Sequence, residues 1–211
     1  NVPDFWKSIW EYFDLRTSSS YGAVLEGAMP RARWFVGAHL NYAEQVFRAT
    51  SPDRPALMFQ SETRPFAKLS WDELYGPVAS VASALRRMGV RKGDRVVAFL
   101  PNIPETVIAF LATSSLGAVW SSCSPDFGTR SVVDRFKQIE PKVLFAVDGY
   151  QYGGKAFERI SAVAEIQGAL KGLERTILVP YLHQEPPAAA LKQLKDVVLW
   201  PDLLGAHAEL V

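Results

Sequence analysis

The chain has 211 residues, of which 48% are hydrophobic, so it can bury the core of roughly one to one and a half domains. Its 23 lysines and arginines nearly balance 22 aspartates and glutamates, and the formal net charge of +1 gives no overall attraction to nucleic acid or to an anionic membrane. Cys123 is the only cysteine, which excludes an internal disulfide and a cysteine-rich metal site and predicts a cytoplasmic protein.

The first predicted domain, residues 1–50, is a helical and irregular extension. Aromatic residues at helical spacing predict a short amphipathic helix over residues 5–13, whose aromatic face packs on a larger body. Residues 29–44 mix proline, glycine and large aromatics without a period, which predicts an irregular connection. Asn41 is expected to cap a helix over residues 42–49. Because the chain begins with asparagine and not with methionine, we also expect it to be a piece of a longer protein.

The second predicted domain, residues 51–211, alternates strands with helices. It opens with a hairpin at a sheet edge, predicted over residues 56–60 and 66–70. Further strands are predicted over residues 95–100, 118–122, 143–147, 176–179 and 197–200, and helices over residues 70–88, 102–116, 132–139 and 157–164. Asn102 and Glu105 are expected to form a capping box. This order predicts an α/β fold, an open and mostly parallel sheet with helices on both faces.

Motifs for nucleophilic catalysis or metal binding are missing. There is no Gly-x-Ser-x-Gly, and Cys123, which has no histidine close in sequence, is interpreted as a buried small hydrophobe. The histidines are isolated from one another: His39, His183 and His207. Three aspartates at strand ends or turns are expected to cap backbone N–H groups: Asp94, Asp126 and Asp148.

Two stretches remain as candidates for a ligand site. Ser121 and Ser122 follow one predicted strand, and Gly153 to Lys155 follow the next. The second stretch, Tyr-Gly-Gly-Lys, leads from a strand toward a predicted helix and could offer free N–H groups and an ammonium to a phosphate. Ligands of parallel sheets gather beyond the carboxyl ends of the strands. Both stretches are also compatible with ordinary turns, because glycine and serine favour turns.

Residues 89–105, Gly-Val-Arg-Lys-Gly-Asp-Arg-Val-Val-Ala-Phe-Leu-Pro-Asn-Ile-Pro-Glu, resemble the opening domain of the adenylate-forming acyl-CoA synthetase superfamily. Residues 56–70 and 116–118 fit the same pattern, so the resemblance spans nearly the whole chain. Residues 32–44 and 120–128 are most similar to the acetoacetyl-CoA synthetase branch, and the acetyl- and propionyl-CoA synthetases share part of these segments. The resemblance implies a flavodoxin-like subdomain.

The activity implied by this resemblance is that of an acid–thiol ligase. ATP, with Mg²⁺, and a carboxylate such as acetoacetate would give an acyl-adenylate and pyrophosphate, and CoA would then take the acyl group and release AMP. The superfamily's Gly-rich ATP loop and adenylating lysine have no match here and belong to later parts of these enzymes. We therefore expect an N-terminal part without catalytic or metal-binding residues of its own, inactive alone.

One site of the superfamily falls within the chain. The resemblance implies that the nucleotide end of CoA is bound by Trp120, Ser121 and Ser122 on one side and by Tyr152 and Lys155 on the other. Tyr152 replaces an expected basic residue and could instead stack on the adenine.

Two other interpretations stay open. One is a synthetase for acetate or propionate; another is a stand-alone flavodoxin-like module that binds a nucleotide or a protein. Self-association of the chain through exposed apolar faces is also expected.

Overall fold

The computed structural model describes residues 1–205 and residue 210; His207 lies outside this part of the chain. The described chain divides into two compact units, Asn1–Ala49 and Thr50–Val211. None of the helices in the described residues has the length and apolar character needed to cross a membrane.

The first unit contains a hairpin that the sequence analysis treated as an irregular connection. Its elements are helix α1 (Val2–Tyr12), strands β1 (Ala23–Glu26) and β2 (Arg33–Val36), and helix α2 (Tyr42–Arg48). The strands pair antiparallel, with Leu25 opposite Trp34. The interpretation was wrong because neither strand, Ala-Val-Leu-Glu nor Arg-Trp-Phe-Val, alternates apolar and polar residues, so the sequence shows no period of two. The Asn41 cap of α2 is confirmed: its side-chain oxygen accepts from the backbone N–H groups of Ala43 and Glu44.

The second unit is built on a five-stranded parallel sheet, as predicted. Its strands are β5 (Arg95–Phe99), β6 (Val119–Cys123), β7 (Val143–Val147), β10 (Arg175–Val179) and β11 (Val197–Leu199), in the order β11-β10-β7-β5-β6. Two short antiparallel hairpins complete the strands: β3 (Leu57–Phe59) with β4 (Ala67–Leu69), and β8 (Gly149–Tyr152) with β9 (Lys155–Glu158). The first hairpin was predicted to border the main sheet; instead, its two strands form a sheet of their own.

Helices cover both faces of the main sheet, which confirms the predicted fold class. They are α3 (Trp71–Arg87), α4 (Pro104–Ser115), α5 (Thr129–Lys137), α6 (Ile160–Ala169) and the short α7 (Ala188–Leu191), followed by a 3₁₀ turn at Trp200–Leu203. One face packs buried residues such as Leu144 against Phe136 of α5 and Ile166 of α6. On the opposite face, the Phe145 ring lies 6.2 Å from that of Trp120, which in turn lies 6.0 Å from Phe110 of α4. The side chains of successive residues of β7 thus pack on opposite faces of the sheet.

Helix α4 begins differently from the prediction. Its first residue is Pro104 and its N-cap is Ile103, which makes no side-chain cap, so the Asn102–Glu105 capping box is wrong. Proline suits the first helical position because its fixed φ is helical and it needs no N–H partner there. The Glu105 carboxylate pairs instead with Arg64, which follows β3.

Candidate functional site

The carboxyl edge of the parallel sheet carries both predicted stretches. The loops that follow β5, β6, β7 and β10 leave the sheet at this edge. The β3–β4 turn lies there too, because Arg64 contacts Glu105 after β5 and its guanidinium lies 4.6 Å from the ring centroid of Tyr181 after β10. Binding sites in parallel α/β sheets form at this edge.

Trp120, Ser121 and Ser122 all lie within β6, in agreement with the strand predicted over residues 118–122; the placement of the two serines after that strand was wrong. They pair with Val96, Val97 and Ala98 of β5. Trp120 is half-buried beside Phe110, and Ser122 is exposed. Because side chains alternate along a strand, Trp120 and Ser122 share the α4 face and Ser121 lies on the other. The three predicted residues therefore divide between two faces of an edge strand.

Tyr152 and Lys155 flank the turn of the β8–β9 hairpin, which the sequence analysis missed. The predicted passage from a strand into a helix is wrong, because residues 155–158 form β9 and α6 begins only at Ile160. Gly153 and Gly154 have φ values of 59° and 72°, the left-handed conformations that a two-residue hairpin turn requires. Tyr152 and Lys155 are directly paired, and Tyr152 is 74% exposed. Two consecutive glycines between two short segments rich in aromatic residues are a hairpin signal, and this signal could have identified the turn.

The backbone N–H groups of this turn, which were predicted to be free, are bound to the carboxylate of Glu62. Gly153 donates to Oε1 at 2.7 Å and Gly154 to Oε2 at 2.8 Å. These two bonds, first that from Gly154, hold the pKa of Glu62 below its ordinary value, because they stabilise the charged form. Glu62 lies in the β3–β4 turn, 91 residues before Gly153, and no local sequence signal indicates the contact.

Arg159 joins the loop after β6 to the β8–β9 hairpin. Its Nε donates to the Pro125 carbonyl at 2.7 Å and its Nη2 to the Tyr150 hydroxyl at 3.0 Å. The guanidinium also lies over the rings of Tyr150 and Phe157, which stack on each other at 5.2 Å. The two groups of predicted site residues therefore lie on elements that one arginine connects. Sequence reasoning did not identify it.

Asp148 fastens the base of the hairpin, which confirms its predicted role at a turn. Its side chain is fully buried and accepts N–H groups from Tyr181, Leu182 and His183 at 2.7 to 2.9 Å. His183 Nε2 lies 2.8 Å from a carboxylate oxygen of Glu158. Asp148, Glu158 and His183 border a cavity of about 280 Å³. The hairpin is thus held at its base by a buried carboxylate and at its tip by Glu62.

A larger cavity, of about 740 Å³, lies at the opposite, amino edge of the sheet. Lys142, one of the charged residues that line it, donates to the Gly89 carbonyl at 2.8 Å and pairs with Asp94 and Glu174 at 3.4 and 3.8 Å. These oppositely charged groups join the starts of β5, β7 and β10. We therefore assign them to the packing of the amino edge and not to ligand binding.

Cys123 is buried, as predicted, and burial raises the pKa of its thiol, which disfavours the nucleophilic thiolate. The described residues contain no group of three or more histidine, cysteine or carboxylate side chains able to hold a metal ion. The chemistry available at the carboxyl edge is therefore recognition: an ammonium at Lys155, an exposed aromatic at Tyr152, and small hydroxyl residues on β6.

Comparison with family models gives two matches. Residues 43–204 match the model described as AMP-binding enzyme, and residues 1–46 match the model described as acetyl-coenzyme A synthetase N-terminus. Together, they extend from the first residue to the end of β11 and the following 3₁₀ turn.

Similar proteins include acetoacetyl-CoA synthetases. The one from Rattus norvegicus is 43% identical over 183 residues, covering 85% of this chain, and the one from Rhizobium meliloti is 44% identical over 181 residues, covering 84%. A solved structure of acetoacetyl-CoA synthetase from Streptomyces lividans superposes on the whole chain with a TM-score of 0.91 and 50% identity. The chain spans 27% of each of these two relatives and 32% of the solved chain.

Proposed function

Because the chain belongs to the AMP-binding enzyme family, we propose that it forms the N-terminal part of an acetoacetyl-CoA synthetase. The observation that carries the proposal is the 50% identity to the Streptomyces lividans synthetase over the full length of this chain. The reaction converts ATP, acetoacetate and CoA into acetoacetyl-CoA, AMP and pyrophosphate. It proceeds through an acetoacetyl-adenylate, whose acyl group passes to the CoA thiol.

This chain's proposed share of the reaction is to bind CoA. ATP and its Mg²⁺ are proposed to be held by residues outside this chain, in agreement with the lack of a matching ATP loop and adenylating lysine in its sequence. Mg²⁺ would neutralise charge on the ATP phosphates. The chain itself would orient the nucleotide end of CoA, so that the thiol of the same molecule reaches the adenylate.

The proposed CoA subsite consists of Trp120, Ser121, Ser122, Tyr152 and Lys155. The Lys155 ammonium would pair with a phosphate, and no salt bridge within the described residues occupies it. Tyr152, with most of its ring exposed, would stack on the adenine. Ser122 has no bulky side chain and would let the nucleotide approach the edge of β6. Trp120, packed on Phe110, would hold the strand against α4.

The experiment that tests this function uses the complete enzyme that contains the chain. Formation of AMP and of a CoA thioester is measured with acetoacetate, acetate and propionate as competing acids. We expect the highest kcat/KM with acetoacetate. A higher kcat/KM with acetate or propionate would instead support the second candidate, an acetyl- or propionyl-CoA synthetase, which the match of residues 1–46 favours.

Calorimetric titration of the isolated chain with CoA and, separately, with ATP tests the proposed division of the substrates. We expect measurable CoA binding and no ATP binding. Saturable ATP binding by the isolated chain would contradict the proposed division of the substrates.

We also propose a cytoplasmic location, which suits a single buried thiol. Self-association of the isolated chain is proposed from exposed apolar side chains of the second unit, including Met58, Phe66 and Tyr152. Light scattering at increasing chain concentration would reveal it as a rising mean mass; a constant monomer mass would exclude it.

A further inference from the structure

The β3–β4 turn at the carboxyl edge is held in place by hydrogen bonds and by the Arg64 side chain. Within it, Ser61 donates its N–H to the Arg64 carbonyl at 3.0 Å, and the Ser61 hydroxyl accepts from the Arg64 N–H at 3.1 Å. The Arg64 side chain then ties the turn to Glu105 and Tyr181, on two different loops of the sheet. Glu62, between these anchoring residues, therefore extends from a backbone that is fixed from both sides.

The partner of Glu62 is the most adaptable backbone of the predicted site. Two consecutive glycines lose more conformational freedom on ordering than any other pair of residues. Each carboxylate oxygen of Glu62 accepts one of their N–H groups, at 2.7 and 2.8 Å, so the carboxylate aligns both donors at once. Hydrogen bonds to a charged acceptor are stronger than neutral ones. Glu62 thereby restrains the turn that two glycines leave free.

The restraint acts on Tyr152 and Lys155, which flank the glycines. They are directly opposite in the antiparallel register, so both side chains project from one face of the hairpin at its tip. A change at the Gly153–Gly154 turn would alter the distance between the tyrosine ring and the ammonium. A ligand that contacts both therefore benefits from a turn that is ordered before it binds.

We propose that Glu62 is a positioning residue, which orders the Gly153–Gly154 turn so that Tyr152 and Lys155 bind the phosphate-bearing nucleotide end of CoA together. The inference rests on the proposed function, since CoA is the ligand that the synthetase reaction supplies. Glu62 acts through the turn and does not touch the ligand.

The test compares Glu62→Ala and Glu62→Gln in the complete enzyme. Glutamine keeps the shape but offers one oxygen acceptor, and its amide group opposes the second N–H donor. We expect the KM for CoA to rise about 3- to 10-fold in Glu62→Ala, which loses both hydrogen bonds, and less in Glu62→Gln, because exposed hydrogen bonds contribute on the order of that factor. ATP–pyrophosphate exchange, which reports adenylate formation alone, should stay unchanged.

Three comparisons sharpen this test. Glu185→Gln removes an exposed carboxylate in the same unit and should leave the KM for CoA unchanged. In Lys155→Ala enzyme, adding Glu62→Ala should raise the KM less than it does in wild type, because both changes act on one contact. Hydrogen–deuterium exchange of residues 150–156 should accelerate in Glu62→Ala without any substrate present.

The opposite results overturn the proposal. A lower KM for CoA in Glu62→Ala would mean that the carboxylate repels the phosphate. A parallel loss of ATP–pyrophosphate exchange would mean a general structural role, and unchanged amide exchange would mean that Glu62 does not order the turn. Failure of the proposed function is recognised separately: the wild-type enzyme would then form no CoA thioester from any of the three acids, while amide exchange would still report on the turn.

Discussion

One guanidinium nitrogen of Arg64, Nη1, lies 2.8 and 3.0 Å from the two carboxylate oxygens of Glu105, 41 residues further along the chain. The two side chains are 28% and 14% exposed, so the pair is only partly open to solvent. It links the β3–β4 turn to the start of α4. A hairpin outside the main sheet is thus connected to a helix at the edge where CoA is proposed to bind.

A double-mutant cycle measures this link. We expect Arg64→Ala and Glu105→Ala each to lower the free energy of unfolding by about 1 to 2 kcal/mol, with a coupling energy of about 1 kcal/mol, because the pair is charged and partly buried. The measurement is urea denaturation of the wild type, both single variants and the double variant. The exposed pair Arg33–Glu26, at 3.5 Å, is the matched control and should show a coupling below about 0.5 kcal/mol. Equal coupling in the two pairs would contradict the role assigned to Arg64.

Lys155→Ala tests the proposed CoA subsite in the complete enzyme. The KM for CoA should rise about tenfold, since one exposed ammonium–phosphate contact contributes on the order of 1.4 kcal/mol. ATP–pyrophosphate exchange should not change, because it precedes CoA binding. Lys171→Ala, an exposed lysine that lines the amino-edge cavity, is the control. An unaltered KM for CoA in Lys155→Ala would remove this residue from the subsite.

Gly149→Ala tests how closely the β8–β9 hairpin packs against Leu182. A Cβ at this position would lie 2.6 Å from Leu182 Cδ2 and 2.7 Å from the Phe157 carbonyl oxygen. Since such contacts force backbone shifts, we expect a loss of about 2 to 3 kcal/mol in the free energy of unfolding. Gly168→Ala, in α6 with no atom within 4 Å of the new Cβ, should keep or raise stability. Equal stability of the two variants would show that the hairpin moves freely to accept the methyl group.

We expect Asp94 to account for part of the loss of stability at acidic pH. Its Oδ2 accepts the Arg91 N–H at 2.8 Å and lies 3.4 Å from Lys142 Nζ; the first contact, aided by the lysine charge, holds the pKa of Asp94 below its ordinary value. As the pH falls through about 4, the Asp94 carboxylate is protonated in the unfolded chain before it is protonated in the folded chain. Protonation of Asp94 therefore favours unfolding. The stabilisation is therefore complete above about pH 5 and is lost toward the lowered folded-state pKa.

The measurement for Asp94 is the free energy of unfolding from pH 7 to pH 3. Asp94→Asn should be less stable than wild type by about 1 kcal/mol at pH 7, and the difference should shrink as the pH falls. Asp126→Asn, at an exposed aspartate of the loop after β6, is the control for a general charge effect. A difference between wild type and Asp94→Asn that stays constant down to pH 3 would falsify this account.

The sequence predicted best where burial alone decides the structure. The strand over residues 143–147 was predicted with its correct ends, because five consecutive apolar residues are typical of a parallel strand covered on both faces. The alternation of strands and helices in the second unit was sufficient to predict the fold class. Errors arose at short elements such as β1 and β2, whose four residues do not alternate between apolar and polar side chains.

The candidate site was only partly accessible from the sequence. The positions of Tyr152 and Lys155 came from a family resemblance, and the hairpin that carries them had a usable signal in its two glycines. Glu62 and Arg159 gave no such signal. Their contacts join residues 91 and 34 positions apart, and only the folded sheet brings these residues together.

The three N–H groups that converge on Asp148 have a consequence for the order of folding. They come from residues 33 to 35 positions later, beyond β10, so the carboxylate cannot be desolvated at low cost until that strand has docked. The β8–β9 hairpin is therefore expected to mature after the central strands, late on the folding pathway. Kinetic measurements on Asp148→Asn should then show faster unfolding with an almost unchanged folding rate, whereas slower folding would mean that the hairpin belongs to the nucleus.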